Sequence, residues 1–135
     1  MLRAQATQRT GSLQRSVLCI DDDPDSLDLI ETILGHAGAY KLLKAATGAA
    51  GLELALEVAP DLILLDFDLP DAHGLDILKR LREDQRTGSI PVIGISGTSH
   101  PTPRYIRGTG IDGFVPKPLD DIPAFMAAVQ RELGG

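Results

Sequence analysis

From Ser16 onward, short apolar runs alternate with longer stretches in which apolar residues recur every three or four positions. A short, continuous apolar run is typical of a strand that is covered on both faces of a parallel sheet. A recurrence every three to four residues is typical of a helix with one buried face. The predicted strands are VLCI, YKLLKAA, LILL, PVIGIS and GFVPK, at residues 17–20, 40–46, 62–65, 91–96 and 113–117.

Capping residues mark where the predicted helices begin and end. Asp23 followed by Pro24 indicates an N-cap and a proline at the first helical position, and Gly38 ends that helix. Thr47 indicates the cap of a second helix, which ends before Pro60. Two further helices are predicted over residues 75–83 and from residue 120 or 121 to about residue 133.

The alternation of these elements predicts an α/β domain over residues 16–135. Its expected architecture is a doubly wound, five-stranded parallel sheet with helices on both faces, of the flavodoxin-like type. One stretch breaks the pattern. From Ser99 to Gly110 the chain contains two prolines and two glycines, which disfavour a regular helix there.

Composition narrows the class of protein. Of the 135 residues, 43% are hydrophobic and 24% are charged. These fractions are typical of a globular domain that does not span a membrane. A single cysteine, Cys19, excludes a disulfide framework and favours a reducing, cytoplasmic location. Residues 1–15 are polar and lack the apolar region of a signal peptide, so we expect a disordered tail.

The charge is strongly negative and unevenly distributed. The chain has 13 basic and 19 acidic residues, and three of the basic residues but none of the acidic ones lie within residues 1–15. The predicted domain therefore carries a large excess of acid, which disfavours direct DNA binding. Six of the acidic residues fall between Asp21 and Glu31, and four more lie at positions 66, 68, 71 and 76. Two such groups suggest a cation site if the fold brings them together.

Polar residues follow four of the five predicted strands. They are Asp21 and Asp22, Asp66, Ser96 and Lys117. In a doubly wound sheet the carboxyl ends of the strands meet at one edge, so these side chains are expected to converge. Three carboxylates repel one another, and Mg²⁺ together with one ammonium group would offset that repulsion. A carboxylate can also attack phosphorus to give an acyl phosphate, for which a cation, an amine and a hydroxyl supply the required contacts.

Taken together, these motifs resemble the receiver domain of bacterial two-component response regulators. The matching segments are VLCIDDDPDSLDLI, DLILLDFDLPDAHGLDILKRLR, IPVIGISGT and IDGFVPKPLD. The resemblance implies that Asp66 is the phosphoacceptor, that Ser96 and Lys117 contact the phosphoryl group, and that a histidine kinase or phosphotransfer protein supplies it. It implies Mg²⁺ as the cofactor. The implied metal ligands are Asp21, Asp22, Asp66 and the backbone carbonyl of Asp68.

The same resemblance assigns a conformational switch to Ser96 and Phe114, and a cis peptide bond before Pro118. In that scheme Phe114 turns inward when the Ser96 hydroxyl moves toward the phosphate. Asp68 departs from the usual family pattern, in which an apolar or amide side chain is common. Its carboxylate either adds negative charge beside the incoming phosphate or points to solvent without a role.

Three functions compete at this stage. The first is a non-enzymatic signalling protein that accepts phosphate in a phosphorelay and acts on an unknown downstream partner. The second is a degenerate receiver that only binds other proteins. The third is a phosphatase, because Asp66-Phe67-Asp68 is a DxD motif at a strand end, similar to that of haloacid-dehalogenase-type enzymes. The position of the motif on the third strand, and a chain too short for a cap, weigh against this enzyme.

Overall fold

The computed structural model of the chain describes residues 14–97 and 108–133. Two predictions fall mainly on other residues: the disordered tail over residues 1–15 and the irregular stretch over residues 99–110 lie largely outside the described ranges. Arg15, which the sequence pattern places in the tail, is instead the first residue of the first strand and pairs with Tyr40. None of the helices in the described ranges has the length and apolar content needed to span a bilayer.

The described part of the chain contains one sheet of five parallel strands. They are β1 (Arg15–Ile20), β2 (Tyr40–Ala45), β3 (Leu62–Asp66), β4 (Val92–Ser96) and β5 (Gly113–Pro116). Their order in space is β2-β1-β3-β4-β5, and every neighbouring pair is parallel. The order of the strands reverses between β1 and β3, which is the topological switch point of this architecture. The predicted doubly wound parallel sheet is therefore confirmed.

Four helices connect or follow these strands in the described ranges. They are α1 (Pro24–Ala37), α2 (Gly48–Val58), α3 (Gly74–Glu83) and α4 (Ile122–Leu133). The predicted caps of the first two are confirmed: Asp23 accepts a hydrogen bond from the Asp25 N–H at 3.0 Å, and Thr47 accepts one from the Ala50 N–H at 3.0 Å. Gly38 ends α1 with a left-handed φ of 77°, a conformation that favours glycine.

Alternate residues of the strands supply two separate hydrophobic cores. On one face, Val17, Cys19, Leu62 and Leu64 pack with α1 and α4, including the fully buried Phe125. On the other face, the intervening strand residues pack with α2 and α3, which contribute Ala55, Ile77, Leu78 and Leu81. Because β1 and β3 are covered on both faces, their sequences read as continuous apolar runs rather than as alternating ones.

Strand register determines which residues meet at the carboxyl edge of the sheet. Ile20 pairs with Leu65, so the next residues along the two strands, Asp21 and Asp66, are level with each other. Ser96 is one residue beyond the Asp66 partner Ile95. Lys117 follows Pro116, which is the register partner of Ser96. Parallel pairing alone therefore gathers side chains that lie up to 96 positions apart in the sequence.

Candidate acidic site at the carboxyl edge of the sheet

Three carboxylates form the centre of the site. Asp21 and Asp66 are buried, with 0% and 2% exposure, whereas Asp22 is exposed. One carboxylate oxygen from each lies within 4.8 Å of those of the other two. Backbone N–H groups orient the two buried side chains: Asp23 donates to Asp21 Oδ1 at 2.9 Å, and Asp68 donates to Asp66 Oδ1 at 2.9 Å. In each buried carboxylate, Oδ1 thus accepts a hydrogen bond from the loop that follows its strand, and Oδ2 is available for contacts at the centre of the site.

Lys117 places an ammonium group against both buried acids. Its Nζ lies 3.0 Å from Asp21 Oδ2 and 3.4 Å from Asp66 Oδ2. The contact with Asp66 has the geometry of a hydrogen bond, whereas Asp21 Oδ2 has no hydrogen-bond donor. The peptide bond from Lys117 to Pro118 is cis. The ammonium group of Lys117 therefore lies against two buried carboxylates. The Lys117 side chain is itself only 20% exposed.

The electrostatic environment shifts the pKa values of the central pair. Burial is the largest influence on Asp66 and raises its pKa to about 6, and the nearby Asp21 adds to the rise, although the Asp68 N–H and Lys117 oppose it. Partial burial acts to lower the pKa of Lys117, but its contacts with Asp21 and Asp66 outweigh that effect and raise the pKa overall. Lys117 therefore remains charged. Its one positive charge does not fully offset the repulsion among the three carboxylates.

The donor set of this cluster fits a small, hard divalent cation. Asp21 Oδ2 is buried and makes no hydrogen bond of regular geometry, and its close charged contact is the Lys117 ammonium group at 3.0 Å, which Asp66 shares. A metal ion would relieve the repulsion that remains among the three acids. Oxygen ligands are those that Mg²⁺ prefers, and it commonly uses one or two carboxylates and retains water. Within the described residues, Asp21, Asp22 and Asp66 are the only group of three such ligands.

Ser96 is connected through the Asp68 side chain to the loop that carries Asp66. Its hydroxyl is buried and donates a hydrogen bond to Asp68 Oδ2 at 2.9 Å. The same oxygen accepts from the Gly97 N–H at 3.3 Å. Asp68 is exposed, as the solvent-facing interpretation expects, but its carboxylate also bridges to the end of β4, so the expectation that the side chain makes no contact is wrong.

Phe114 lies on the other face of the sheet from the Asp21–Asp66 pair. It is the register partner of Gly94, and a Cβ atom at position 94 would lie 2.8 Å from its ring. The absence of a side chain at Gly94 thus makes room for this ring. Phe114 also contacts Phe67 edge to face, with ring centroids 5.3 Å apart. Because Phe67 lies between Asp66 and Asp68 in the chain, the aromatic residue adjoins the loop of the site.

Asp71 has a long-range role that the sequence analysis missed. Its two carboxylate oxygens accept hydrogen bonds from the Gly48 N–H at 2.8 Å and the Ala49 N–H at 3.1 Å, at the first turn of α2. These contacts lower the pKa of Asp71. They anchor the loop after β3 to a different helix. A local turn before Gly74 is the simplest interpretation of the sequence, since a sequence pattern does not reveal a partner 23 positions away.

The sheet order and this site define a class of protein. A doubly wound sheet with buried acids and an ammonium group at its switch point is the arrangement that the resemblance to receiver domains implies. The sequence model of the family described as "Response regulator receiver domain" matches residues 17–130 of the chain. The chain belongs to the response regulator receiver domain family, and its resemblance to that family is confirmed.

Individual relatives show how widely the similarity extends. The chain is 30% identical over 123 residues to the polar-differentiation response regulator DivK of Brucella ovis, covering 90% of this chain and 98% of DivK. It is 40% identical over 106 residues to the DNA-binding dual master transcriptional regulator RpaA of Synechocystis, covering 77% of this chain but only 43% of RpaA. Chemotaxis protein CheY4 of Vibrio cholerae has the same fold, with a TM-score of 0.80 at 24% identity, over 89% of this chain and 99% of CheY4.

Proposed function

We propose that the protein is a phosphoacceptor in a two-component phosphorelay and receives a phosphoryl group on Asp66 from a histidine kinase or a phosphotransfer protein. The observation that supports this most directly is the environment of Asp66. Its carboxylate is 2% exposed, with Lys117 Nζ 3.4 Å from one oxygen and the Asp68 N–H 2.9 Å from the other. The match to the receiver family and the similarity to a response regulator over nearly its whole length support the same function.

The transfer itself needs little from the protein beyond position and charge. One oxygen of Asp66 attacks the phosphorus of a phosphohistidine and forms a new O–P bond. The P–N bond breaks, and its electron pair returns to the imidazole nitrogen. Lys117, which already contacts Asp66, compensates charge on the phosphoryl oxygens. The Ser96 hydroxyl and the Gly97 N–H, at the end of the neighbouring strand, supply hydrogen-bond donors for those oxygens.

Mg²⁺ is the cofactor that we assign to this function. Asp21, Asp22, Asp66 and the backbone carbonyl of Asp68 would hold it. When bound, the ion supplies positive charge that offsets the negative charge of the acids and of the transferred group. The chain's own contribution is to hold a carboxylate oxygen of each of the three acids within 4.8 Å of those of the other two, with Lys117 against the two buried ones.

The phosphatase alternative is less consistent with the contacts of Asp68. A DxD phosphatase needs its second acid to exchange a proton with the leaving group. Here the Asp68 carboxylate instead accepts hydrogen bonds from Ser96 and Gly97. We therefore favour a signalling protein over an enzyme. The single cysteine supports a cytoplasmic location, and the excess of acidic residues supports a protein without direct contact with DNA. Its downstream partner is a protein that distinguishes the two states of Asp66.

The test is labelling with a small phosphodonor. We expect acetyl phosphate with Mg²⁺ to add one phosphoryl group to the wild-type chain, measured by intact mass. Asp66→Asn should abolish the gain, because an amide is not a nucleophile toward phosphorus under these conditions. Asp76→Asn makes the same charge change at an exposed position on α3 and should label as the wild type does. Equal labelling of the Asp66→Asn variant would refute the assignment.

A second expectation concerns the metal alone. Asp22→Ala should raise the Kd for Mg²⁺ by at least about tenfold, since even residues that only support metal ligands typically contribute 10- to 100-fold. The same change should leave the metal-free fold intact, because it removes one of three mutually repelling acids. Isothermal titration calorimetry with MgCl₂ measures the Kd, with Asp76→Asn as the matched control. An unchanged Kd would remove Asp22 from the set of ligands.

A further inference from the structure

The side chain of Asp68 contacts the hydrogen-bond donors beside the phosphoacceptor. Its Oδ2 accepts from Ser96 Oγ at 2.9 Å and from the Gly97 N–H at 3.3 Å. Its own backbone N–H donates to Asp66 Oδ1 at 2.9 Å. Asp68 therefore reaches both the acceptor carboxylate, through its main chain, and the end of β4, through its side chain.

An acyl phosphate on Asp66 would need those same two donors. A phosphoryl group brings three oxygens that are strong hydrogen-bond acceptors and carries close to two negative charges. Asp66 is the register partner of Ile95, so Ser96 and Gly97 are the next residues along the neighbouring strand. A carboxylate that already accepts from both donors resembles part of the group that the site is built to receive.

We propose that the Asp68 carboxylate competes with the phosphoryl group for the Ser96 hydroxyl and the Gly97 N–H, and thereby weakens the retention of phosphate on Asp66. This inference rests on the proposed function of Asp66. It makes Asp68 a positioning residue, which acts on the reacting group through the donors that it occupies. The carboxylate must give up both hydrogen bonds before a phosphoryl oxygen can take its place.

The charge of Asp68 adds to the competition for donors. Among the described residues, the charged side chains at this edge include the three acids of the cluster, Asp68 and the cation Lys117. Because hydrogen bonds to a carboxylate are roughly twice as strong as those between neutral groups, Asp68 holds its donors more firmly than an amide would. A neutral residue at position 68 would leave the donors easier to recruit and would remove one like charge from the site.

Beryllofluoride, a stable mimic of the phosphoryl group, tests this without a chemical step. We expect Asp68→Ala to lower the Kd for beryllofluoride in saturating Mg²⁺ by about tenfold, which is the effect of losing one charge-assisted competitor. Asp68→Asn should lower it by less, because the amide oxygen can still accept from Ser96. Asp76→Asn should leave it unchanged, since it alters the same charge at an exposed site on α3. Isothermal titration calorimetry gives the four values.

A double-mutant cycle separates competition for the hydroxyl from repulsion between charges. In a Ser96→Ala background, Asp68→Ala should tighten binding by less than about threefold, because the stronger of the two shared donors is already absent. An undiminished tenfold gain in that background would mean that repulsion alone is responsible, and it would overturn the competition for donors.

The outcomes also separate this inference from the proposed function. If the wild type binds beryllofluoride but both Asp68 variants bind it equally well or more weakly, the competition is refuted while the role of Asp66 stands. If the wild type and all variants fail to bind it, and acetyl phosphate does not label Asp66, then the proposed function is refuted and this inference fails with it.

Discussion

Replacing Lys117 with methionine is expected to lower the free energy of unfolding of the metal-free protein by about 3 kcal/mol. Methionine keeps most of the length of the side chain but removes the ammonium group, with its charge and its hydrogen-bond donors. Asp21 and Asp66, which are 0% and 2% exposed, would then share a buried site without the ammonium group that contacts both. Protonation of Asp66, whose pKa is already raised to about 6, limits the loss.

Urea denaturation in the presence of EDTA, followed by circular dichroism, measures this effect. Lys44→Met is the matched control, because Lys44 forms an ion pair with Glu31 at 3.1 Å on the surface and should contribute less than about 1 kcal/mol. Saturating Mg²⁺ should recover most of the stability of the Lys117→Met variant, since a bound cation replaces the lost charge. If Lys117→Met and Lys44→Met have equal effects in EDTA, the buried ion pair does not stabilise the cluster.

Much of this site could be predicted because it depends on strand ends. Apolar runs locate the strands, and a parallel sheet brings the following residues to one edge whatever their separation in sequence. That reasoning identifies Asp21, Asp22, Asp66, Ser96 and Lys117 as neighbours from the sequence alone. The structure brings Lys117 to within 3.4 Å of Asp66 and places the three acids within 4.8 Å of one another. Local capping signals at Asp23 and Thr47 are equally informative, because a cap and its partner are three or fewer residues apart.

The contacts that could not be predicted join side chains from different loops. Asp68 bonds to Ser96, 28 positions away, and Asp71 bonds to the start of α2. Periodicity reports which face a residue occupies, but it carries no information about which loop lies opposite. The surface position that the sequence favours for His73 is confirmed, but the sequence does not indicate that its Nδ1 caps α3 by accepting from the Leu75 N–H at 3.1 Å. All three residues lie close to Asp66 in sequence, so the loop after β3 is where pattern analysis is least informative.

The amino edge of the sheet, remote from the acidic site, depends on one arginine. Arg82, in the last turn of α3, donates to the carbonyl oxygen of Ile90 at 2.7 Å and to that of Gly88 at 3.3 Å. Its other terminal nitrogen donates to the Gly110 carbonyl at 3.2 Å and to Asp112 Oδ2 at 2.9 Å. One planar guanidinium group thus joins the segments that lead into β4 and β5.

Arg82→Ala is therefore expected to lower the free energy of unfolding by about 2 kcal/mol, mainly because the charge-assisted hydrogen bonds to Gly88 and Ile90 are partly buried, whereas those to Gly110 and Asp112 are exposed. The Arg82 side chain is only 24% exposed, and Asp112 Oδ2 also accepts from the Val92 N–H at 2.8 Å, so the loss extends to the start of β4. Arg82→Lys should recover less than half of it, since a single ammonium group cannot reach four acceptors in the plane of a guanidinium.

Arg80→Ala provides the control, because Arg80 lies on the same helix but is exposed, and a surface truncation typically changes stability by no more than about 0.5 kcal/mol. Urea denaturation of the four proteins gives the comparison, and the binding of Mg²⁺ should be unaffected in all of them, because Arg82 lies at the opposite edge from the acids. If Arg82→Lys is as stable as the wild type, charge alone accounts for the contribution of Arg82. If Arg82→Ala is no less stable than Arg80→Ala, the four contacts do not stabilise the segments that lead into β4 and β5. The packing of Ile90 and Ile111 in the core beneath α2 and α3 must then stabilise them instead.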